Sequence, residues 1–378
     1  MLHPLAVMNI VHNKSRSLSS IVGISFVIMI IFYQMGAYSK VISASMQVYN
    51  ELEFDIIVLS NDYFHMGQSF TFPRQRLYQI SDISGVETAV PFYIALSPWR
   101  NSLNGIIRPI LVMAMPINNQ GSQVFSSNEI RESLPLIIQP NTLLFDRRSR
   151  KFYGPQTPGT TAEIAGNEFK ILGNYTMGGA FISTGTTIVS DQNFQRIFFR
   201  SLDNVSFGLI RLKNSAHADV VAEKMRQILE EDVLVLTRTE LEQREKSYWA
   251  TTSSVGLLLG SGVIVVFLVG IVILSQVLAT QVMNHITEYA TLKAFGYSSL
   301  HLANIVLQQA FAFVIISYVI GFGLAVGFYK LTSMLAGVPI GMTTYRAIAV
   351  ALMTIFMGTT ASITSLRKVL LADPADVF

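Results

Sequence analysis

The sequence predicts an integral membrane α-helical protein with four transmembrane helices and a large α+β extracytoplasmic domain of two sublobes. Three observations predict it. Apolar runs lie at residues 18–38, 253–283, 301–330 and 346–365, each reaching the roughly 20 residues needed to cross about 30 Å of hydrocarbon as a helix. The stretch 41–245 has mixed polarity, frequent turns and charges throughout, so it folds outside the bilayer. The chain is 51% hydrophobic and 13% charged, with mean hydropathy +0.44, too apolar for an ordinary soluble domain.

The same numbers exclude several classes. A net charge of +3 without a dense basic stripe argues against nucleic acid. The longest basic cluster, Arg147, Arg148, Arg150 and Lys151, reads as a solvated loop. Without cysteine the chain has no disulfide, no CxxC redox pair and no thiolate metal site.

Residues 1–17 suit a cytoplasmic interfacial helix that starts near Pro4 and carries Lys14 and Arg16 at its end. Residues 18–38 follow as a retained signal anchor, too long and too poorly followed by small residues to be a cleaved leader. Lys14, Arg16, Lys293, Arg367 and Lys368 share one side of the four spans, and the loop 331–345 carries no charge. The positive-inside rule then places both termini in the cytoplasm and the insert outside.

The insert begins with a strand at Phe54–Leu59, a helix at Arg74–Ile83 and strands at Val86–Leu96 and Ile106–Met115. Residues 118–187 form a β-rich sublobe with short strands at Leu143–Phe145, Ala162–Ile164 and Phe169–Ile171. Gly178-Gly179 and Gly185 read there as turns. Ser190 caps a helix through Phe199; a strand at Val205–Leu212, a helix at His217–Leu229 and a closing strand at Val233–Leu236 follow. Span one runs on through Val41–Tyr49 without a breaker, and Thr239–Lys246 leads into span two in the same way. These helices are expected to be continuous and to form a stalk, with Tyr248 and Trp249 marking the outer interface.

Residues 253–283 measure about 46 Å as a helix, more than one bilayer crossing requires. The cytoplasmic turn 284–299 reads as a short amphipathic helix stopped at Gly296. Spans 301–330 and 346–365 and a tail 366–378 complete the chain. Gly256 with Gly260, and Gly323 with Gly327, have the spacing at which membrane helices pack closely.

Catalytic chemistry is not in view. No P-loop, HExxH or GxSxG occurs, and the six histidines form no metal-ligand pair at helical spacing. The span cores hold no Asp, Glu, Lys or Arg, which argues against a proton-coupled carrier. The chain is expected to be no enzyme and to bind no cofactor.

The turn Asn284–Ser299 carries the run Glu288-Tyr289-Ala290-Thr291-Leu292-Lys293-Ala294-Phe295-Gly296-Tyr297-Ser298. It resembles the signature of the FtsX/MacB-type permeases of ABC transporters, and the fuller run 275–298 is most similar to the DevC-like permeases of cyanobacteria. Residues 6–17 resemble the family's basic N-terminal helix, and Arg367 through Phe378 resemble its closing tail. The resemblance implies that His285, Glu288, Tyr289, Thr291, Leu292, Lys293 and Gly296 form a coupling helix that docks on an ABC ATPase subunit. The family often has a basic residue where this chain has His285. The resemblance also implies a homodimeric permease of a type VII, mechanotransmitting exporter. ATP is bound by the partner subunit, and a HlyD-like periplasmic adaptor and an outer-membrane TolC-like channel lie beyond. Cargo would be a glycolipid or another amphiphile. The alternative is an FtsX-like regulator that passes ATPase state to a periplasmic cell-wall hydrolase, for which the roughly 200-residue insert is large. A sensor receptor would need an output domain, and only a short tail follows the last span.

Overall fold

The computed structural model describes residues 14–68, 70–178, 182–284, 286–336 and 340–370. The expected start at residues 1–13, His285 and the tail from residue 371 lie outside the described residues. The chain divides into two compact units, one of residues up to Lys40 with Ser254 onward, the other Val41–Ser253.

Helix α1 (Lys14–Ser45) is unbroken and outruns the predicted span. A turn at Met46 separates it from α2 (Gln47–Asn50). The insert then folds as β1 (Ile56–Ser60), β2 (Phe72–Pro73), α3 (Gln75–Ser81), β3 (Val86–Arg100) and β4 (Ile107–Met115). After α4 (Asn128–Ser133) come β5 (Thr142–Asp146), β6 (Thr161–Ile164), β7 (Asn167–Tyr175) and β8 (Thr186–Ser190). It closes with α5 (Asp191–Phe198), β9 (Asn204–Val205), β10 (Phe207–Leu212), α6 (Ala218–Ile228), β11 (Val233–Thr237) and α7 (Arg238–Ser247).

Among the described residues, nine strands form one sheet in the order β11-β1-β10-β3-β4-β8-β5-β7-β6. The two expected sublobes thus share one continuous sheet. Strand β3 pairs along one edge with β10 and, further on at Trp99 and Arg100, with β6, and along its other edge with β4, and so bridges them. Because side chains alternate across a strand, β1 sends Ile57 and Leu59 into one core and Ile56 and Val58 into another. All five β1 residues are buried, the pattern of a central strand covered on both faces. Phe145 and Ile171, from the β-rich end, share a core with Ile56 and Val58, so neither end has a core of its own. Gly208 in β10 allows α3 to approach, since a Cβ there would lie 2.5 Å from Leu77 Cδ2.

Helix α7 begins with a reciprocal cap: Glu240 N–H donates to Thr237 Oγ1 (3.4 Å) while Thr237 N–H donates to the Glu240 carboxylate (2.8 Å). Arg226 also pairs with Glu240 at 2.6 Å. Thr237→Ala should therefore lower stability by about 1 kcal/mol, read as a reduced melting temperature of the purified chain. No reduction would mean the Arg226 pair alone suffices.

The second stalk helix is not continuous, contrary to expectation. After α7 the backbone makes a π turn (Tyr248–Thr252) closed by Ser253 N–H to Tyr248 O at 2.8 Å. Ser253 is then extended (φ −69°, ψ 140°), and α8 (Ser254–Asn284) starts afresh. Neither proline nor glycine marks this break, which the Ser253 hydroxyl secures by donating to Trp249 O at 3.0 Å. Tyr248 and Trp249, expected to mark the outer interface, instead pack within the domain. Trp249 is buried, and Tyr248 stacks on His65 at 5.0 Å between ring centres.

The other unit is helical. Its α1 and α8 are joined by α9 (Ile286–Ala294), α10 (Ser299–Ala336) and α11 (Thr344–Leu370). Among the described residues, four helices are long and apolar enough to cross a membrane: Ser17–Ser45, Ser254–Asn284, Leu300–Leu335 and Thr344–Ser365. Hydroxyls cross-link them, as polar side chains do where hydrocarbon offers no other partner. Ser317 donates to Ile21 O (3.3 Å), Tyr318 to Ala347 O (2.9 Å), Ser365 to Ser275 O (3.2 Å) and Tyr329 to Phe32 O.

Three of the four glycines picked out by spacing make no tight contact among the described residues. Nothing lies within 4 Å of a Cβ built on Gly323 or Gly327, and one on Gly260 makes only ordinary contact with Tyr38 at 3.6 Å. Gly256 is buried. The tight positions are Gly36 against Tyr329, Gly270 against Met357 and Val27, Gly321 against Ser25 and Ile28, and Gly358 against Val314. Spacing located a small-residue face; only the packed helices say which face meets a neighbour.

Candidate functional site

The segment between α8 and α10 turns back within a few residues, and its geometry follows from its sequence. Helix α9 carries Glu288 in its first turn and Lys293 in its last, the polarity that complements the helix dipole. Gly296 has φ +90°, a conformation that L side chains rarely adopt. Gly296 N–H donates to Lys293 O (3.0 Å) and Tyr297 N–H to Leu292 O (3.1 Å). These two bonds make the double-bonded glycine stop known as a Schellman motif, at the predicted residue. Directly afterwards Ser298 caps α10, its Oγ accepting from His301 N–H at 3.3 Å. One helix is stopped and the next started across the four residues 295–298.

Of the predicted coupling residues, Glu288 is exposed, and Thr291 bonds back through Oγ1 to Thr287 O at 2.8 Å. Lys293 is half-buried, Tyr289 lies within the helix, and His285 is outside the described residues. Leu292 faces inward and packs against Val282, Leu302, Ile305 and Val306 from α8 and α10. It anchors the helix and leaves Glu288 on the surface. Sequence reasoning missed the exposed apolar rim at this turn, where Phe295 is 79%, Leu300 81% and Tyr297 47% accessible. The signal was present in Phe295-Gly296-Tyr297, read only as part of a stop. The short capped helix thus carries an exposed carboxylate, Glu288, near its start and exposed rings, Phe295 and Tyr297, at its end.

These features define a four-span integral membrane protein with a large α+β domain between its first and second spans. Residues 260–374 match the family described as FtsX-like permease C-terminal, a stretch that contains α9, α10, α11 and most of α8. No curated protein matches the chain. Among solved structures, the periplasmic region of MacB from Actinobacillus actinomycetemcomitans is 9% identical, covering 52% of this chain and 94% of that one at TM-score 0.37. The extracellular domain of the noncanonic ABC-type transporter YknZ from Gram-positive bacteria is 10% identical, covering 49% and 99% at TM-score 0.34.

Proposed function

We propose that the chain is the permease subunit of a MacB-like type VII ABC exporter in a bacterial inner membrane. In this reading it works as a homodimer with a separate ABC ATPase subunit, which binds and hydrolyses the ATP. Helix α9 docks on that subunit, and both termini lie on the same cytoplasmic side. The domain Val41–Ser253 faces outward, toward a HlyD-like adaptor and a TolC-like outer-membrane channel. Its motion drives a glycolipid or other amphiphile outward without passing it through the spans. The observation that carries this reading is α9 itself. It is held between α8 and α10 by Leu292, stopped by Gly296, exposes Glu288, and lies inside the matched residues 260–374.

The test begins with co-purification of the chain from native membranes and identification of the bound ATPase and lipids by mass spectrometry. The chain alone should hydrolyse no ATP, and the reconstituted complex should. Glu288→Lys reverses the exposed charge and should reduce permease-dependent ATPase activity about tenfold, equivalent to losing about 1.4 kcal/mol of docking or coupling energy. The chain should remain folded, because Glu288 is exposed. Hydrolysis by the chain alone, or full coupling by the Glu288→Lys variant, would overturn the assignment. ATP-dependent activation of a cell-wall hydrolase without lipid release would favour the regulator instead.

A further inference from the structure

Within the domain Val41–Ser253, the segment that follows α1 and the segment that precedes α8 are fastened to each other by side chains. Arg238, at the start of α7, donates to Leu52 O (3.0 Å) and Tyr49 O (3.3 Å), and its guanidinium lies 4.9 Å from the centre of the Phe54 ring. Arg244 donates to Tyr63 O at 3.0 Å. At the centre is Glu245, 1% exposed. One of its carboxylate oxygens accepts from the Tyr63 hydroxyl and the other from Trp249 Nε1 at 3.1 Å. The Tyr63 hydroxyl is bonded in turn to that of Tyr49, which is fully buried. With Glu245 ionised, Tyr63 donates to it and Tyr49 to Tyr63; with Glu245 protonated, the carboxyl donates to Tyr63 and Tyr63 to Tyr49, so the chain of bonds closes in either state and the buried charge is what differs. A single chain of hydrogen bonds thus runs from α2, through the loop after β1, to α7 and the π turn.

A carboxylate is an expensive centre for such a chain. Burying a charge costs several kcal/mol unless it is paired, and here both oxygens are held by neutral donors, a phenol and an indole. We infer that Glu245 is the positioning residue of a proton-sensitive clasp that locks the two membrane-leading segments together when protonated and loosens when ionised. The inference rests on the coupling function proposed above for its use, though not for its chemistry.

Burial, not a neighbouring charge, sets this sign. Burial is the largest influence on Glu245 and pushes its carboxyl up to about 7, against the opposing pull of Tyr63, Trp249 and Arg244. Burial also raises the Tyr49 and Tyr63 phenols well above their usual range, so both remain neutral donors. His65 packs edge-on against Trp249 at 5.2 Å and is lowered from its ordinary value by burial, so it brings no strong positive charge near neutrality. A group whose folded-state proton affinity is raised contributes stability below its ordinary range and loses it as pH climbs through the raised value. The clasp is therefore tightest in acid and weakens through about pH 7.

The chain has no cysteine, so Asn50→Cys and Gln243→Cys, both at exposed positions on opposite segments, can carry spin labels in the full-length protein in lipid nanodiscs. The wild-type distance distribution should be narrow at about pH 5.5 and gain a broad, longer component by about pH 8.5, with a midpoint near about 7. Glu245→Gln keeps the shape without the charge and should stay narrow throughout; Glu245→Ala should be broad throughout. A purely structural role would move none of these with pH. An unchanged wild-type distribution, or a Glu245→Gln variant that follows the wild type, would overturn the clasp. A pH-responsive clasp in a chain that never couples to an ATPase would retain this inference and remove the proposed function.

Discussion

Gly321→Ala should destabilise the helical bundle, while Gly323→Ala, two residues along the same helix, should not. A Cβ at 321 would sit 2.8 Å from the Ser25 carbonyl oxygen and 2.9 Å from Ile28 Cβ. The first of these is backbone and cannot swing away, so α1 and α10 would have to separate. Overpacking of this kind costs about 1–3 kcal/mol, more than the roughly 1 kcal/mol of helix propensity that alanine returns. At 323 nothing lies within 4 Å, and only the propensity gain remains. Thermal unfolding of the full chain in detergent should show a lower midpoint for the 321 variant and an unchanged or raised one for 323. Equal effects would mean that helix propensity, and not the α1–α10 seam, sets stability there. Gly321→Leu should give a chain that no longer accumulates as a folded monomer.

Gly296→Val should uncouple the proposed ATPase partner while Gly296→Asn is largely tolerated. At φ +90° a β-branched residue meets its own backbone, at a cost of about 1–2 kcal/mol, and asparagine is the residue that best substitutes for glycine there. Valine would break the bonds from Gly296 and Tyr297 to Lys293 O and Leu292 O. The last turn of α9 and the exposed Phe295 would then lose their fixed direction. Partner-stimulated ATP hydrolysis and cargo release, measured in the same vesicles, should both fall at least about tenfold for valine, with the melting temperature near wild type. Normal coupling by the Gly296→Val chain would reduce the segment to a connector.

Much of the domain Val41–Ser253 can be read directly. Ser190 caps α5 as expected, with Asn193 N–H donating to its hydroxyl at 3.2 Å, and the predicted strands at residues 54–59, 86–96, 106–115 and 205–212 correspond to β1, β3, β4 and β10 with shifted ends. Strand β8 is not legible in this way, although it lies between β4 and β5 in the sheet. Its sequence, Thr186-Thr187-Ile188-Val189-Ser190, looks half-polar, yet all five residues are buried. Their hydroxyls are hidden by partners distant in sequence: Tyr175 donates to Thr186 Oγ1 at 2.8 Å, and Thr187 donates to Leu144 O at 2.7 Å. Polarity along a strand predicts exposure only when the bonding partner is unknown.

The candidate docking turn divides in the same way. Gly296 is identifiable because a helix stop is local backbone chemistry. The inward anchor Leu292 and the outward rim of Phe295, Tyr297 and Leu300 could not be sorted without the neighbouring helices.

Taken alone, the sequence determined the number of spans, the place of the large domain and the stop at Gly296. Each depends on transfer free energy or backbone conformation summed over adjacent residues. The tertiary structure decided that Gly36, Gly270, Gly321 and Gly358 form the seams, and that Trp249 is buried against Glu245. It also decided that the helix before the second span breaks at Ser253. These are pair properties: a glycine matters where another backbone approaches it, and a buried carboxylate persists only where donors from distant segments reach it.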